Sequence, residues 1–327
     1  MIAGARGWPI VVGLAAVLAL AGCDRRRARD EVPPPPPRPE PVASGCTVAP
    51  LPVRLSAAPR VVAIGDLHGD LGGARAALRA AGAIDEGDHW SGGALVVVQT
   101  GDVLDRGDDE RALLDLIARL ETEARAAGGA FVMLLGNHEL MNAAGDFRYV
   151  TPAGLHAFDG AVGGSLAAPA SEDQRSRIEA LGPGGSYARQ LAHHAVIAIV
   201  GDTVFSHAGV LGDWVHHIDE VNQSARCWLD GQGGEPPPVL TADDGPVWTR
   251  VAGARDVDCA AVTGALDALA VKRMVVGHTV QDHGITSACD GVVWRIDVGL
   301  ARRYGGPIQV LELAPGASPK VLTGTRG

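Results

Sequence analysis

Six side chains of the kind that bind divalent cations stand in this chain behind short apolar runs: Asp66, His68, Asp102, Asn137, His207 and His278. Two carboxylates, one carboxamide and three imidazoles make an oxygen-and-nitrogen donor set without a thiolate, which suits Mn, Fe, Zn or Co. One carboxylate placed as a bridge can hold two such ions roughly 3.5–4 Å apart, the spacing used to activate water for in-line attack on phosphorus. Glycines adjoin every ligand block and permit sharp turns and close backbone approach. A single Gly-Asp after a strand is usually a turn, and a single Gly-His a surface or core histidine. Five such blocks in order, each behind an apolar run, make a strong signal.

The runs themselves say what positions these groups. Residues 61–64, 95–98, 131–135, 203–205 and 274–276 are short and apolar, the pattern of strands covered on both faces. Between the early runs, Leu113, Leu114, Leu116, Ile117 and Leu120 share one face of a helix that starts near Asp109. Strand–helix–strand order predicts an α/β sheet whose functional groups gather beyond the C-terminal strand ends. The folded part is expected to start near Val53. Glycine-rich residues 182–185 and 231–238 mark loops that bracket insertions, and the polar, partly helical stretch 151–180 is suited to cap the cleft.

GDLHGD (65–70), GDVLDRGDDE (101–110), LLGNHE (134–139), SHAG (206–209) and GHT (277–279), in that order, resemble the calcineurin-like metallophosphatase superfamily. The DRG and GNHE forms resemble its phosphoprotein phosphatases. The stretches 97–110, 134–142, 145–152 and 199–210 look closest to the bacterial Shewanella-like protein phosphatases, and the likeness spans about residues 60–313. It implies a central β-sandwich of two mixed sheets flanked by helices, with helical and loop cap insertions. It also implies two divalent ions, Mn, Fe or Zn, with Mn favoured. Asp66 and His68 would bind the first, Asp102 would bridge, and Asn137, His207 and His278 would bind the second. Water or hydroxide between the ions would attack phosphorus without a covalent phosphoenzyme. Arg106 would contact phosphate oxygens, which a planar guanidinium does well. His138, oriented by Asp105, would protonate the leaving oxygen. Arg250 resembles a second phosphate-binding arginine, with an ordinary surface arginine as the other reading. Arg148 and Tyr149 either line the mouth of the site or pack their loop. Asp70 either supports a ligating histidine or caps a helix. The remaining histidines fit no ligand slot.

The substrate implied is a phosphomonoester, on phosphoserine, phosphothreonine or phosphotyrosine of a protein or on a small ester. A diadenosine tetraphosphatase-type pyrophosphohydrolase is the alternative enzyme, against which the DRG block argues; the Arg106 block argues against a phosphodiesterase. A catalytically silent, lipid-anchored binding protein is the alternative of another class, against which the complete ligand set argues.

The chain has 327 residues, 46% of them hydrophobic, enough for one large domain, and a formal net charge of −10 that excludes a nucleic-acid partner. Arg6, the apolar stretch 10–20 and Leu20-Ala21-Gly22-Cys23 read as a signal peptide over 1–22. The small residues before Cys23 resemble a lipoprotein lipobox, which implies lipidation of Cys23, a membrane anchor and an extracytoplasmic, periplasmic address. Residues 23–57 form a linker whose prolines at 33–37, 39 and 41 favour polyproline II. The phosphatase domain is expected over 58–315, with a tail over 316–327. Cys46, Cys227, Cys259 and Cys289 allow up to two disulfides in three pairings.

Overall fold

A computed structural model describes residues 45–166, 171–234 and 236–326 of the chain. The signal peptide, Cys23 and the proline run lie outside the described residues. Among those described, no helix is long and apolar enough to cross a membrane.

Among the described residues, eleven strands form two sheets. They are β1 (Arg54–Leu55), β2 (Val61–Ile64), β3 (Val96–Gln99), β4 (Ala130–Met133), β5 (Ile197–Val200), β6 (Thr203–Ser206), β7 (Arg273–Val276), β8 (Thr286–Ala288), β9 (Val293–Arg295), β10 (Gln309–Leu313) and β11 (Lys320–Thr323). One sheet runs β11-β10-β2-β3-β4 and the other β1-β5-β6-β7-β9-β8. Each is mixed: β2, β3 and β4 are parallel with β10 antiparallel, while β6, β7 and β9 are parallel with β5 and β8 antiparallel. Seven α-helices among the described residues accompany them: α1 (Leu71–Ala80), α2 (Glu110–Ala126), α3 (Asn137–Ala143), α4 (Arg175–Leu181), α5 (Ser186–Leu191), α6 (Ile218–Leu229) and α7 (Cys259–Leu269).

The apolar runs are continuous because each central strand is covered twice. On β2, Val61 and Ala63 face the space between the sheets, where they join Val98, Leu134, Phe205, Val275 and Leu311. Val62 and Ile64 point the other way, into the helices, with Leu78, Leu113 and Ile117. The expected helical face on α2 is buried as its spacing predicts, although the helix begins at Glu110 with Asp109 as its cap residue.

Three features extend beyond the sequence reading. Residues 54–55, within the range given to the linker but where the folded part is expected to begin, pair with β5 as an edge strand. Residues 320–323, within the expected tail, pair with β10 along four residues; both stretches are too short to show a strand period. The cysteines pair as Cys46–Cys227 and Cys259–Cys289. The first bridge spans 181 residues and ties the segment before β1 to α6.

Candidate metal centre

The loops that leave β2, β3, β4, β6 and β7 converge at one end of the sandwich. There Asp66, His68, Asp102, Asn137 and His207 are each no more than 3% exposed. His207 Nε2 lies 2.9 Å from Asn137 Oδ1, 3.1 Å from His278 Nδ1 and 3.3 Å from Asp102 Oδ2. His68 Nε2 lies 3.7 Å from Asp102 Oδ2 and 3.9 Å from Asp66 Oδ2. The His278 backbone N–H donates to Asp66 Oδ1 at 3.2 Å, and His207 Nδ1 is 4.0 Å from the same oxygen. All six expected ligands therefore share one cluster, with Asp102 at its middle.

Close approach has a local cause. A Cβ on Gly136 would stand 2.2 Å from Asp102 Oδ1, and one on Gly277 would stand 2.4 Å from Asp66 Oδ1. The main chain is also bent where it carries chemistry. Of the nine non-glycine residues with positive φ among those described, five are His68, Asp102, Asp105, Arg106 and His278. Each such residue costs about 1–3 kcal/mol and persists only where its surroundings hold it.

The histidines are oriented by main-chain carbonyls. His68 Nδ1 donates to Leu104 O at 2.9 Å and His207 Nδ1 to Thr100 O at 2.9 Å, so each turns Nε2 toward the carboxylates. Burial pushes His68 down to about 4. Burial, with His207 alongside, pushes His278 down to about 3. Both are neutral near pH 7 and offer lone pairs. His207 is pushed up to about 10 because Asp102 and Asp66 outweigh its burial. Burial likewise opposes ionisation of Asp102, but His207 and His138 hold it well below the ordinary carboxylate range. Asp66 is raised by burial and by Asp297, and Asp297 is pushed by burial up to about 6. Three carboxylates crowded in a dry site fit divalent cations, which remove that mutual repulsion. His278 Nε2 adds a buried ring nitrogen with no hydrogen-bond partner.

Beside the cluster, His138 Nδ1 donates to Asp105 Oδ2 at 2.5 Å, and its Nε2 faces Asp102 Oδ2 at 3.7 Å. Burial lowers its basicity, but Asp102 and Asp105 together raise it above the ordinary imidazole range. Arg106 reaches across with Nη1 2.8 Å from His68 Nε2. Its guanidinium lies between two aromatic rings, 4.9 Å from the Tyr149 centroid and 5.4 Å from that of Tyr304. The adjoining cavity, about 360 Å³, is lined by His68, Arg106, Asp108, Thr151, Arg302 and Arg303.

Other expected residues divide. Tyr149 packs its ring 5.1 Å from that of His138, at the mouth. Arg250 hydrogen-bonds Thr279 Oγ1 at 3.3 Å, next to His278, whose basicity it helps to lower. Arg148 is not brought to the cluster: it pairs with Asp146 at 2.6 Å in solvent, because a carboxylate two residues away is its nearest partner. Asp70 caps α1 through Gly73 N at 2.8 Å and receives Arg302 N and Arg326 Nη1, so it supports no ligating histidine.

Four residues escaped the sequence reading. Glu139 accepts from the backbone N–H groups of Asp102, Val103, Leu104 and Gly136 at 2.8–3.1 Å, which holds two ligand loops together. Asp297 follows β9 as the ligands follow their strands, a pattern present in the sequence. Asn142 and Arg177 join Asp105 through side chains alone. Nothing local marks them.

Comparison with known proteins points to one family. The pattern that defines calcineurin-like phosphoesterases matches residues 59–282. The chain is 38% identical over 311 residues to Shewanella-like protein phosphatase 2 of Arabidopsis thaliana, covering 84% of this chain and 80% of that one. It is 29% identical over 266 residues to Shewanella-like protein phosphatase 1 of Plasmodium berghei, covering 76% and 69%. In three dimensions it resembles the cold-active protein-tyrosine phosphatase of a psychrophilic Shewanella, with a TM-score of 0.70, 23% identity and 84% of each chain covered. The chain belongs to the calcineurin-like phosphoesterase family and is a metal-dependent phosphatase.

Proposed function

We propose that this phosphatase works with two divalent cations and hydrolyses phosphomonoesters on proteins or peptides, phosphotyrosine foremost. One observation carries the reading: five oxygen- and nitrogen-donor side chains meet around the carboxylate of Asp102, with Arg106 and His138 at their rim. Asp66, His68 and Asp102 would hold one ion; Asp102, Asn137, His207 and His278 the other. Ions bound there supply Lewis acidity and lower the pKa of water enough for attack near pH 7.

The chain's own groups do the rest. Arg106 offers two parallel N–H groups to phosphate oxygens, and the Tyr149 and Tyr304 rings restrict its swing. His138 carries one proton on Nδ1, held by Asp105, and delivers another from Nε2 to the leaving oxygen. Tyr149 and Tyr304 are 42% and 40% exposed beside Arg106 and give an aromatic leaving group two faces to pack against. The names of the relatives, protein phosphatases and a protein-tyrosine phosphatase, point the same way.

The test is to strip the protein of metal and reload it with each of Mn, Fe and Zn. Each form is then assayed on phosphotyrosine, phosphoserine and phosphothreonine peptides, phosphosugars and diadenosine tetraphosphate. Highest turnover on phosphotyrosine peptides is expected; preferential cleavage of the dinucleotide would replace this reading with the pyrophosphohydrolase.

We also infer from the leader that Cys23 is lipidated and the enzyme held outside the cytoplasm. Two cystine bridges suit an oxidising compartment. Cys23→Ser is expected to release a soluble, active enzyme, and continued membrane retention would refute the anchor.

A further inference from the structure

Arg177 is the largest fully buried side chain among the described residues, and its guanidinium has 0% exposure. It belongs to α4, in the stretch expected to cap the cleft. All five of its N–H donors are used. Nε donates to Asn142 Oδ1 at 2.7 Å. Nη1 donates to Glu110 Oε2 at 2.6 Å and to Gly154 O at 2.8 Å. Nη2 donates to Glu110 Oε1 at 2.7 Å and to Asp105 Oδ1 at 3.2 Å. The Phe158 and Phe147 rings close the space around it, 5.4 and 5.8 Å from the guanidinium carbon.

What those bonds reach is Asp105. Its Oδ2 faces His138 Nδ1, while its Oδ1 is occupied by Arg177 and by Asn142 Nδ2 at 2.9 Å. Its backbone N–H donates to Glu110 Oε1 at 2.6 Å, the oxygen that also accepts Arg177 Nη2. Asp105 sits at φ +68°, so both its main chain and its carboxylate need outside support to stay in place. Arg177 supplies it on both counts, directly to the carboxylate and through Glu110 to the backbone. A carboxylate anchored on one oxygen cannot rotate the other away from an imidazole.

We propose that Arg177 is a positioning residue for leaving-group protonation: by anchoring Asp105 it aims His138, and the insertion around α4 thereby completes the catalytic apparatus rather than merely covering it. The proposal rests on the general-acid reading of His138. The bland alternative is that Arg177 only staples α4 to Glu110, in which case its replacement would slow every ester alike or none.

The experiment compares Arg177→Lys, Arg177→Ala and His138→Ala on p-nitrophenyl phosphate, whose leaving group needs no proton, and on phenyl phosphate, whose leaving group does. Arg177→Lys keeps a cation against Glu110 and so retains the fold, while losing the fork that spans Glu110, Asn142 and Asp105. It is expected to lower kcat for phenyl phosphate on the order of 10–100-fold and for p-nitrophenyl phosphate by less than about 3-fold. KM and bound metal should be unchanged. In Arg177→Ala, added guanidinium is expected to restore phenyl phosphate turnover. Equal slowing of both esters by Arg177→Lys, or no slowing of either, overturns the proposal provided His138→Ala discriminates between them. If His138→Ala itself does not discriminate, the acid reading fails and takes this inference with it.

Discussion

The cation cluster and the Asp105–His138 pair are neighbours held by different means. The cluster is anchored mostly on main chain: carbonyls of Leu104 and Thr100 orient His68 and His207, and the Glu139 carboxylate is a side-chain tie between the backbones of the two central loops. The ligands stand in short loops just beyond strand ends, and Glu139 in the first turn of α3. The pair is anchored by side chains: Asn142 from α3, Glu110 from α2 and Arg177 from the insertion. Main-chain anchors change little with a neighbouring substitution, whereas a side-chain network fails when one member leaves. Ion binding should therefore tolerate damage to the insertion, and leaving-group protonation should not.

The sharpest way to break that contrast is Asp102→Asn. As the carboxylate common to both halves of the cluster, its neutralisation is expected to release bound metal and lower turnover about 1,000-fold or more. Elemental analysis showing two tightly bound ions in the variant would contradict this. His138→Ala comes next: metal content is expected to stay the same while phenyl phosphate slows roughly 100-fold to 10,000-fold. Loss of metal in that variant would merge the two regions into one.

Glu139→Gln tests the side-chain tie within that main-chain scaffold. Only one oxygen would remain for four backbone donors, and at about 1–3 kcal/mol for each buried donor left unsatisfied, urea unfolding should show a loss of several kcal/mol. Metal affinity is expected to fall about 10–100-fold. Unchanged affinity would show that the loops hold without it. The mouth residues carry the smallest effects. Tyr304→Ala should raise KM for phosphotyrosine peptides several-fold, the scale of one lost aromatic contact, about 1 kcal/mol. Arg148→Ala, paired with Asp146 in solvent, should leave it within about 2-fold.

The same contrast explains what could be read from the sequence. The cluster was legible because each ligand follows its own strand at short range, so order and spacing survive in one dimension. The parallel cores β2, β3, β4, β6 and β7 were legible for the same reason, as runs buried on both faces. Arg177 was not, since it meets Asp105 across 72 residues and looks like any helical arginine. β1 and β11 were lost because edge strands of two and four residues carry too little periodicity. The cystine pairing depended on tertiary proximity, as when Cys46 crosses to α6. Left-handed backbone at Asp102, Asp105 and Arg106 was invisible too, because even Asp, commoner there than most residues, takes that conformation in only a small minority of cases.

The most direct test of the account is anomalous diffraction from crystals of the manganese-loaded enzyme. Two peaks roughly 3.5–4 Å apart are expected, one on each side of Asp102, the first against Asp66 and His68 and the second against Asn137, His207 and His278. A single peak, or a peak held by His138 in place of Asp66, would contradict it.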